Sequence, residues 1–423
     1  MTPVALRARI VFPVVSPPIE EGVVTIEGER IVQVGRTAPR NVEVQDLGNV
    51  ALIPGLINTH THLEFSDLKK PLGKRGVSLP DWVRLVISRR QQRTKTSQAI
   101  AKGCVELLAQ GVTTAGEIST ADPSAYPCVG PTPRLVVFQE AIGFSQARAN
   151  SSLNAVKNRL DVAQETLRAT TGSVTHSADL RYRLGVSPHA PYSVSPPLIR
   201  ELVSTASQRG LPVTMHLAES PEEIELLREG KGPFQKLLEE RGMWDLWAIP
   251  RGSLAMDYIR MMTLAPRALL VHGNFLDHQA LAMMGRHVVS MSLVYCPRSH
   301  GFFGYPEYPL ADALSLGVRV CLGTDSRASN PDLSLLSEMR EVVRRHPHVS
   351  VETVLRMGTM SGAEALGVEH AVGGIRPGLL ADLTTVPLPT VQGNSYDKLT
   401  AILHDTAAPT NTWLAGQLVS STT

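Results

Sequence analysis

From Gly55 to Ser326 one texture repeats eight times: a short run of Val, Leu and Ile, then a longer stretch with apolar residues three and four positions apart. The short runs are "GLINTHTH", "GVTTAGEI" (Gly111 to Ile118), "RLVVFQEAI" (Arg134 to Ile142), "YRLGVSPH" (Tyr182 to His189), "LPVTMHLAES" (Leu211 to Ser220), "RALLVHGN" (Arg267 to Asn274), "VVSMSLVYCP" (Val288 to Pro297) and "VRVCLGTDS" (Val318 to Ser326). Near-continuous apolar runs mark strands buried on both faces, and the stretches between them, such as "SSLNAVKNRLDVAQETLRA" and "SPPLIRELVSTASQRG", have helical spacing. Eight βα units predict an α/β fold, a (β/α)8 TIM barrel.

The ends of the chain read differently. "ALRARIVFPV", "EEGVVTIEGERIVQVG" and "VEVQDLGNVALIPG" alternate β-formers with Gly and Pro turns. After the last barrel strand and a helical stretch, "SVETVLRMGTMSGAEALG", strand texture returns in "GGIRPGLLADLTTVPLP" and "NTWLAGQLV". These segments predict a small β-sandwich domain built from both termini, residues 1–55 and 372–423, around a barrel of residues 56–371.

With 41 basic and 39 acidic residues the formal charge is +2, which supplies no field to recruit nucleic acid or an anionic membrane. The one basic run, "SRRQQRTK" at Ser88 to Lys95, reads as a solvated helix face. Cys104, Cys128, Cys296 and Cys321 form no CxxC pair and suit a reducing compartment. No apolar run reaches the roughly 18 residues of a membrane span, and no clear leader opens the chain, so a cytoplasmic location is expected.

His60, His62, His189, His216, His272 and Asp325 all fall at or just past the C-terminal ends of predicted strands, the face of a β/α barrel that carries chemistry. A lone HxH pair is ambiguous. On an extended segment, however, His60 and His62 point the same way and can chelate one metal. His216 offers a third imidazole and Asp325 a carboxylate, a set that suits Zn²⁺, with Fe²⁺ or Co²⁺ also fitting. Glu219, three residues after His216, is placed to move protons to and from a water, and His272 to polarise the attacking group.

In order and separation, "PGLINTHTHLE", "HLAES", "LVHGN" and "LGTDS" resemble the motifs of the amidohydrolase superfamily, and most closely its branch of aromatic deaminases and chlorohydrolases. The resemblance implies one Zn²⁺ or Fe²⁺ on His60, His62, His216 and Asp325, with Glu219 as proton shuttle, His272 as its partner, and Asp325 also orienting the water. Two-metal members carry a bridging lysine at the end of the fourth strand; "YRLGVSPHAPYS" has none, which implies a mononuclear site. The resemblance also implies a homodimer.

For substrate contacts, "PHAPY" resembles the segment whose histidine touches substrate, which marks His189, and "LPDWVRLV" resembles a covering loop and helix, which marks Trp82. Structural roles for both stay open. "VYCPRSHGFFGYP" resembles the seventh-strand loop that reads CPxSN or NPxSN in many deaminases, with His300 in place of Asn. Arg298 and His300 would there meet a carboxylate. "FQEAIGF" resembles proteins assigned to aminodeoxyfutalosine deamination, whose substrate joins an adenine ring to a benzoate. The expected function is hydrolytic deamination of an aminopurine nucleoside or similar small heterocycle. The alternatives are hydrolysis of another C–N or C–Cl bond (chlorohydrolase, formimino or amide hydrolase) and a non-catalytic barrel. Nucleic-acid deamination is disfavoured, because the HxE…PCxxC zinc signature is absent.

Overall fold

The computed structural model describes residues 2–92, 95–126, 131–170 and 181–421. Five strands come first: β1 (Val4–Val11), β2 (Ile19–Glu27), β3 (Arg30–Gly35), β4 (Glu43–Asp46) and β5 (Val50–Pro54). Eight more follow as β6 (Leu56–Thr61), β7 (Val112–Ser119), β8 (Arg134–Ala141), β9 (Tyr182–Pro188), β10 (Val213–Leu217), β11 (Ala268–His272), β12 (Met291–Tyr295) and β13 (Val320–Leu322). The last three are β14 (Leu383–Pro387), β15 (Asn411–Leu414) and β16 (Gln417–Ser421).

β6 to β13 form one parallel sheet in chain order, each falling within one of the eight apolar runs or overrunning it by a residue. Their side chains are buried on both faces along most of their length, which is why they lack polar alternation. The sheet closes on itself. Thr61 bridges Asp325 in parallel register, and the N–H groups of Thr324 and Asp325 both donate to the His60 carbonyl, at 3.1 and 3.0 Å. Asn58 Nδ2 donates to Thr324 Oγ1 at 2.7 Å and Thr59 Oγ1 to the Leu322 carbonyl at 2.8 Å. Gly323 permits this seam: a Cβ there would lie 2.8 Å from the His60 Cβ.

The terminal strands form a second sheet in the order β16-β15-β14-β5-β1-β2-β3, with β4 pairing the first half of β1. Its two faces bury different partners. In β5, Leu52 packs with Leu6, Ile26, Leu383 and Trp413, whereas its neighbours Ala51 and Ile53 join the large cluster around the barrel helices. A buried ion pair ties the two sheets together. Arg134 at the start of β8 donates to both Asp382 oxygens, at 2.8 and 3.1 Å, and Asp382 Oδ1 also accepts the Ala415 N–H at 2.8 Å. The fold is thus a TIM barrel with a small β-domain drawn from both termini.

Two elements depart from expectation. The helical stretch after the barrel is two helices, Val351–Met357 and Met360–Leu366. The break at Gly358 leaves its carbonyl to accept the Ile57 N–H at 2.9 Å. A helix at Ser395–His404, not anticipated from the sequence, is capped by Asn394, whose side chain accepts the N–H groups of Tyr396 and Asp397. Cys104, Cys296 and Cys321 are buried free thiols, and Cys128 lies outside the described residues. Among the described residues no helix is long and apolar enough to cross a membrane.

Candidate active site

Five of the residues singled out by strand-end position meet at the barrel mouth. The ring of His60 lies 4.9 Å from that of His62, 4.8 Å from His216 and 5.7 Å from His272, centroid to centroid. Asp325 Oδ1 is 3.7 Å from Nε2 of both His60 and His62. Glu219 Oε1 is 3.4 Å from His272 Nε2. Glu219, the sixth residue, thus completes a group in which every member is buried.

The backbone holds this group under strain. Ala218, His272 and Asp325 all adopt positive φ, at 51°, 69° and 55°, where residues with a Cβ are uncommon. These three lie at the mouth ends of β10, β11 and β13, so the left-handed turn occurs where each strand must redirect a side chain over the mouth.

The ring nitrogens divide by role. His216 Nδ1 donates to the His189 carbonyl at 2.8 Å, which turns Nε2 toward the cluster. Among the described residues, neither ring nitrogen of His60 and not Nδ1 of His62 has a hydrogen-bond partner, although all are buried. Buried imidazole nitrogens without hydrogen-bond partners, in rings that stand beside a carboxylate, fit a divalent cation. His60, His62 and Asp325, and likewise His60, His216 and His272, place ligand atoms within 4.8 Å of one another.

Electrostatics support the same use. Burial, reinforced by neighbouring imidazoles, holds His62, His216 and His272 well below the usual histidine range, so they stay neutral and able to donate lone pairs. Burial alone would raise the Asp325 carboxyl, but the close imidazoles of His60, His272 and His62 hold it below the carboxylate range. Asp325 Oδ2 accepts from the hydroxyls of Ser299, at 3.1 Å, and Ser329, at 2.8 Å. Glu219 moves the opposite way: burial, then the charges of Asp325 and Glu223, push it well above its ordinary value.

The cluster floors a cavity of about 290 Å³ whose walls are largely apolar, including Phe65, Trp82, Val86, Ile142 and Leu237. Trp82 lines it while its Nε1 donates to the Ala328 carbonyl at 3.1 Å. His189 lines it too, with Nδ1 2.6 Å from Ser193 Oγ and its pKa lowered to about 3 by burial.

Arg298 and His300 are not in this cavity, which corrects the sequence expectation for both. The Arg298 guanidinium makes two bonds to Asp332, at 2.7 and 3.0 Å, and His300 packs edge-on against Tyr295, Tyr305 and Tyr308. From "CPRSH" it is Ser299 that reaches the site. The basic run is corrected as well: Arg90 turns inward, lines the cavity and donates to Glu64 Oε1, at 2.9 and 2.6 Å, with Glu140 Oε2 at 3.5 Å. Arg93 and Thr94 of that run lie outside the described residues. Sequence reasoning also passed over Glu223 and Asn274, which hold the main chain of Glu219; the capping pattern S-x-x-E at Ser220 to Glu223 was the available signal.

A closed β/α barrel with a buried histidine and carboxylate cluster at its mouth is an architecture that can carry metal-assisted chemistry. The Amidohydrolase family matches residues 51–419, and the chain belongs to that family. It is 30% identical over 382 residues to a 5-methylthioadenosine/S-adenosylhomocysteine deaminase of Pyrococcus furiosus, covering 88% of this chain and 81% of that one. It is 26% identical over 386 residues to an aminodeoxyfutalosine deaminase of a Nitratiruptor species, covering 89% of each. Among solved structures it resembles aminofutalosine deaminase of Helicobacter pylori in complex with methylthio-coformycin, with a TM-score of 0.83 and 24% identity over 98% of this chain and 100% of that one.

Proposed function

We propose that this chain is a metal-dependent hydrolytic deaminase of an aminopurine nucleoside. The observation that carries the reading is the Glu219 and His272 pair, 3.4 Å apart, beside the imidazoles of His60, His62 and His216, whose ring centroids lie 4.9, 4.8 and 5.5 Å apart, at the base of an apolar cavity that all of these but His60 line. The names of the relatives, deaminases of adenine nucleosides, support it.

His60, His62, His216 and Asp325 are the assigned ligands of one divalent ion, Zn²⁺ by the donor set, with Fe²⁺ the alternative. When bound, such an ion lowers the pKa of a water and makes it nucleophilic near neutral pH. Glu219 takes a proton from that water as its oxygen bonds to the ring carbon bearing the amino group. Glu219 then gives that proton to the departing nitrogen, the C–N bond breaks to release ammonia, and the remaining hydroxyl proton passes to the adjacent ring nitrogen to give a keto-purine. The burial that raises the Glu219 pKa lets the carboxyl hold the proton between these steps. His272, kept neutral by burial, hydrogen-bonds the attacking group and steadies the charge that develops. Trp82 and His189 flank the substrate from the cavity wall.

The cavity also selects within this class. Arg90 is committed to Glu64 and Glu140, while Arg241, an exposed residue that also lines the cavity, makes no ion pair within 4.0 Å among the described residues and feels Glu240 only at longer range. That exposed guanidinium favours an adenine nucleoside carrying a carboxylate, aminodeoxyfutalosine or S-adenosylhomocysteine, over adenosine or 5′-methylthioadenosine. The test is ammonia release from these four by zinc-loaded protein. One of the carboxylated pair should exceed a kcat/KM of about 10⁴ M⁻¹s⁻¹. Release of chloride from a chlorinated ring, with no ammonia from any nucleoside, would move the chain to the C–Cl branch.

A further inference from the structure

The two amide N–H groups of the main chain that carries Glu219 are held by a single buried carboxylate. Glu223, the third residue of the helix Pro221–Glu229, is 0% exposed. Its Oε1 accepts the N–H of Ala218 at 2.8 Å and its Oε2 accepts the N–H of Glu219 at 3.0 Å. From the other side, Asn274 Nδ2 donates to the Glu219 carbonyl at 2.9 Å and the Phe275 N–H to the Ala218 carbonyl at 3.0 Å. Asn274 and Phe275 follow His272 directly across Gly273.

This is more than a helix cap. In a capping box the third residue's carboxylate returns to the N–H of the capping residue itself. Here Ser220 caps normally, accepting the Glu223 N–H at 3.2 Å, but the Glu223 carboxylate passes Ser220 and brackets the two preceding amides. Two consecutive N–H groups fixed on one carboxylate set the peptide plane between Ala218 and Glu219. That plane, with Ala218 at a φ of 51°, fixes the direction in which the Glu219 side chain leaves the backbone.

We infer that Glu223 is a positioning residue for the reaction, holding the Glu219 carboxylate against His272 through the Ala218–Glu219 main chain. The inference rests on the shuttle role proposed for Glu219. A Glu223→Gln side chain has the same size but sets an NH₂ against one of the two N–H groups, so one bond is lost and a buried donor is left without a partner. Glu223→Ala loses both. Glu223 is itself neither a proposed metal ligand nor a residue that lines the cavity, and reaches the site only through the Ala218 and Glu219 amides.

The experiment compares wild type, Glu223→Gln and Glu223→Ala for kcat, KM, bound metal per chain and thermal midpoint, on whichever nucleoside wild type deaminates. The expected result is a kcat reduced about 10- to 100-fold in Glu223→Gln and further in Glu223→Ala, with KM within about 2-fold and full metal content. If Glu223→Ala does not fold, Glu223→Gln decides alone. A folded, metal-loaded Glu223→Gln enzyme with wild-type kcat overturns the inference and leaves the role of Glu219 standing. Loss of metal in step with activity overturns it too, by reducing Glu223 to a structural cap. Wild type that releases no ammonia from any nucleoside removes the shuttle assignment and this inference with it.

Discussion

The N–H of Asp325 donates to the carbonyl of His60 at 3.0 Å, and Oδ1 of the same aspartate stands 3.7 Å from Nε2 of the same histidine. The seam that closes the barrel and the edge of the proposed metal site are therefore one contact between the first and last strands. Because Asp325 itself contributes to closure through its main-chain N–H, Asp325→Ala should keep the fold and lose the ion. Metal affinity should drop at least about 100-fold, measured by equilibrium dialysis, with the circular dichroism spectrum unchanged. Full metal content in that variant would remove Asp325 from the ligand set.

Glu219→Gln separates proton transfer from metal binding. Glutamine matches the size of the carboxylate and cannot shuttle a proton. Turnover should fall about 10²- to 10⁴-fold while one ion per chain remains bound. Near-full turnover would end the shuttle role.

The raised Glu219 pKa sets the pH dependence. Glu219 must be ionised to take a proton, and burial keeps it protonated to higher pH than an ordinary glutamate. His272 is shifted the other way and stays neutral over the same range. The kcat profile should therefore lose rate as pH falls through a limb lying above the ordinary glutamate value of about 4.3. A rate that stays level down to that pH contradicts the assignment.

The buried Arg134 and Asp382 pair joins the barrel to the terminal sheet. Asp382→Ala removes the two bonds that the buried Arg134 makes to this carboxylate and the acceptor of the Ala415 N–H. The expected loss is about 3–5 kcal/mol of unfolding free energy, read from the shift in urea midpoint. A loss below about 1 kcal/mol would mean that the pair contributes little to joining the two parts.

The barrel was legible because a doubly buried strand cannot alternate polar and apolar residues, so each of β6 to β13 shows as an apolar run. His60 and His62 were legible because a spacing of two on extended chain puts both on one side. The loop after β12 was not. Arg298, Ser299 and His300 are consecutive on the helix Pro297–Phe303, where successive side chains point about 100° apart, and the sequence does not say which one faces the mouth. Arg90 was misread for a related reason: its partner Glu64 lies 26 residues away, so a run of charges looked solvated. The positive φ of Ala218, His272 and Asp325 carries no local signal either, since none is glycine.

The central claim is hydrolysis at the carbon bearing the amino group, and isotope incorporation tests it most directly. Metal-loaded protein would be incubated with its nucleoside in ¹⁸O-enriched water, and product mass and ammonia followed together. One ¹⁸O is expected in each keto-purine formed and one ammonia per product, with the rate of both falling about 10²- to 10⁴-fold in Glu219→Gln. Product without the label, or label without ammonia, would contradict it.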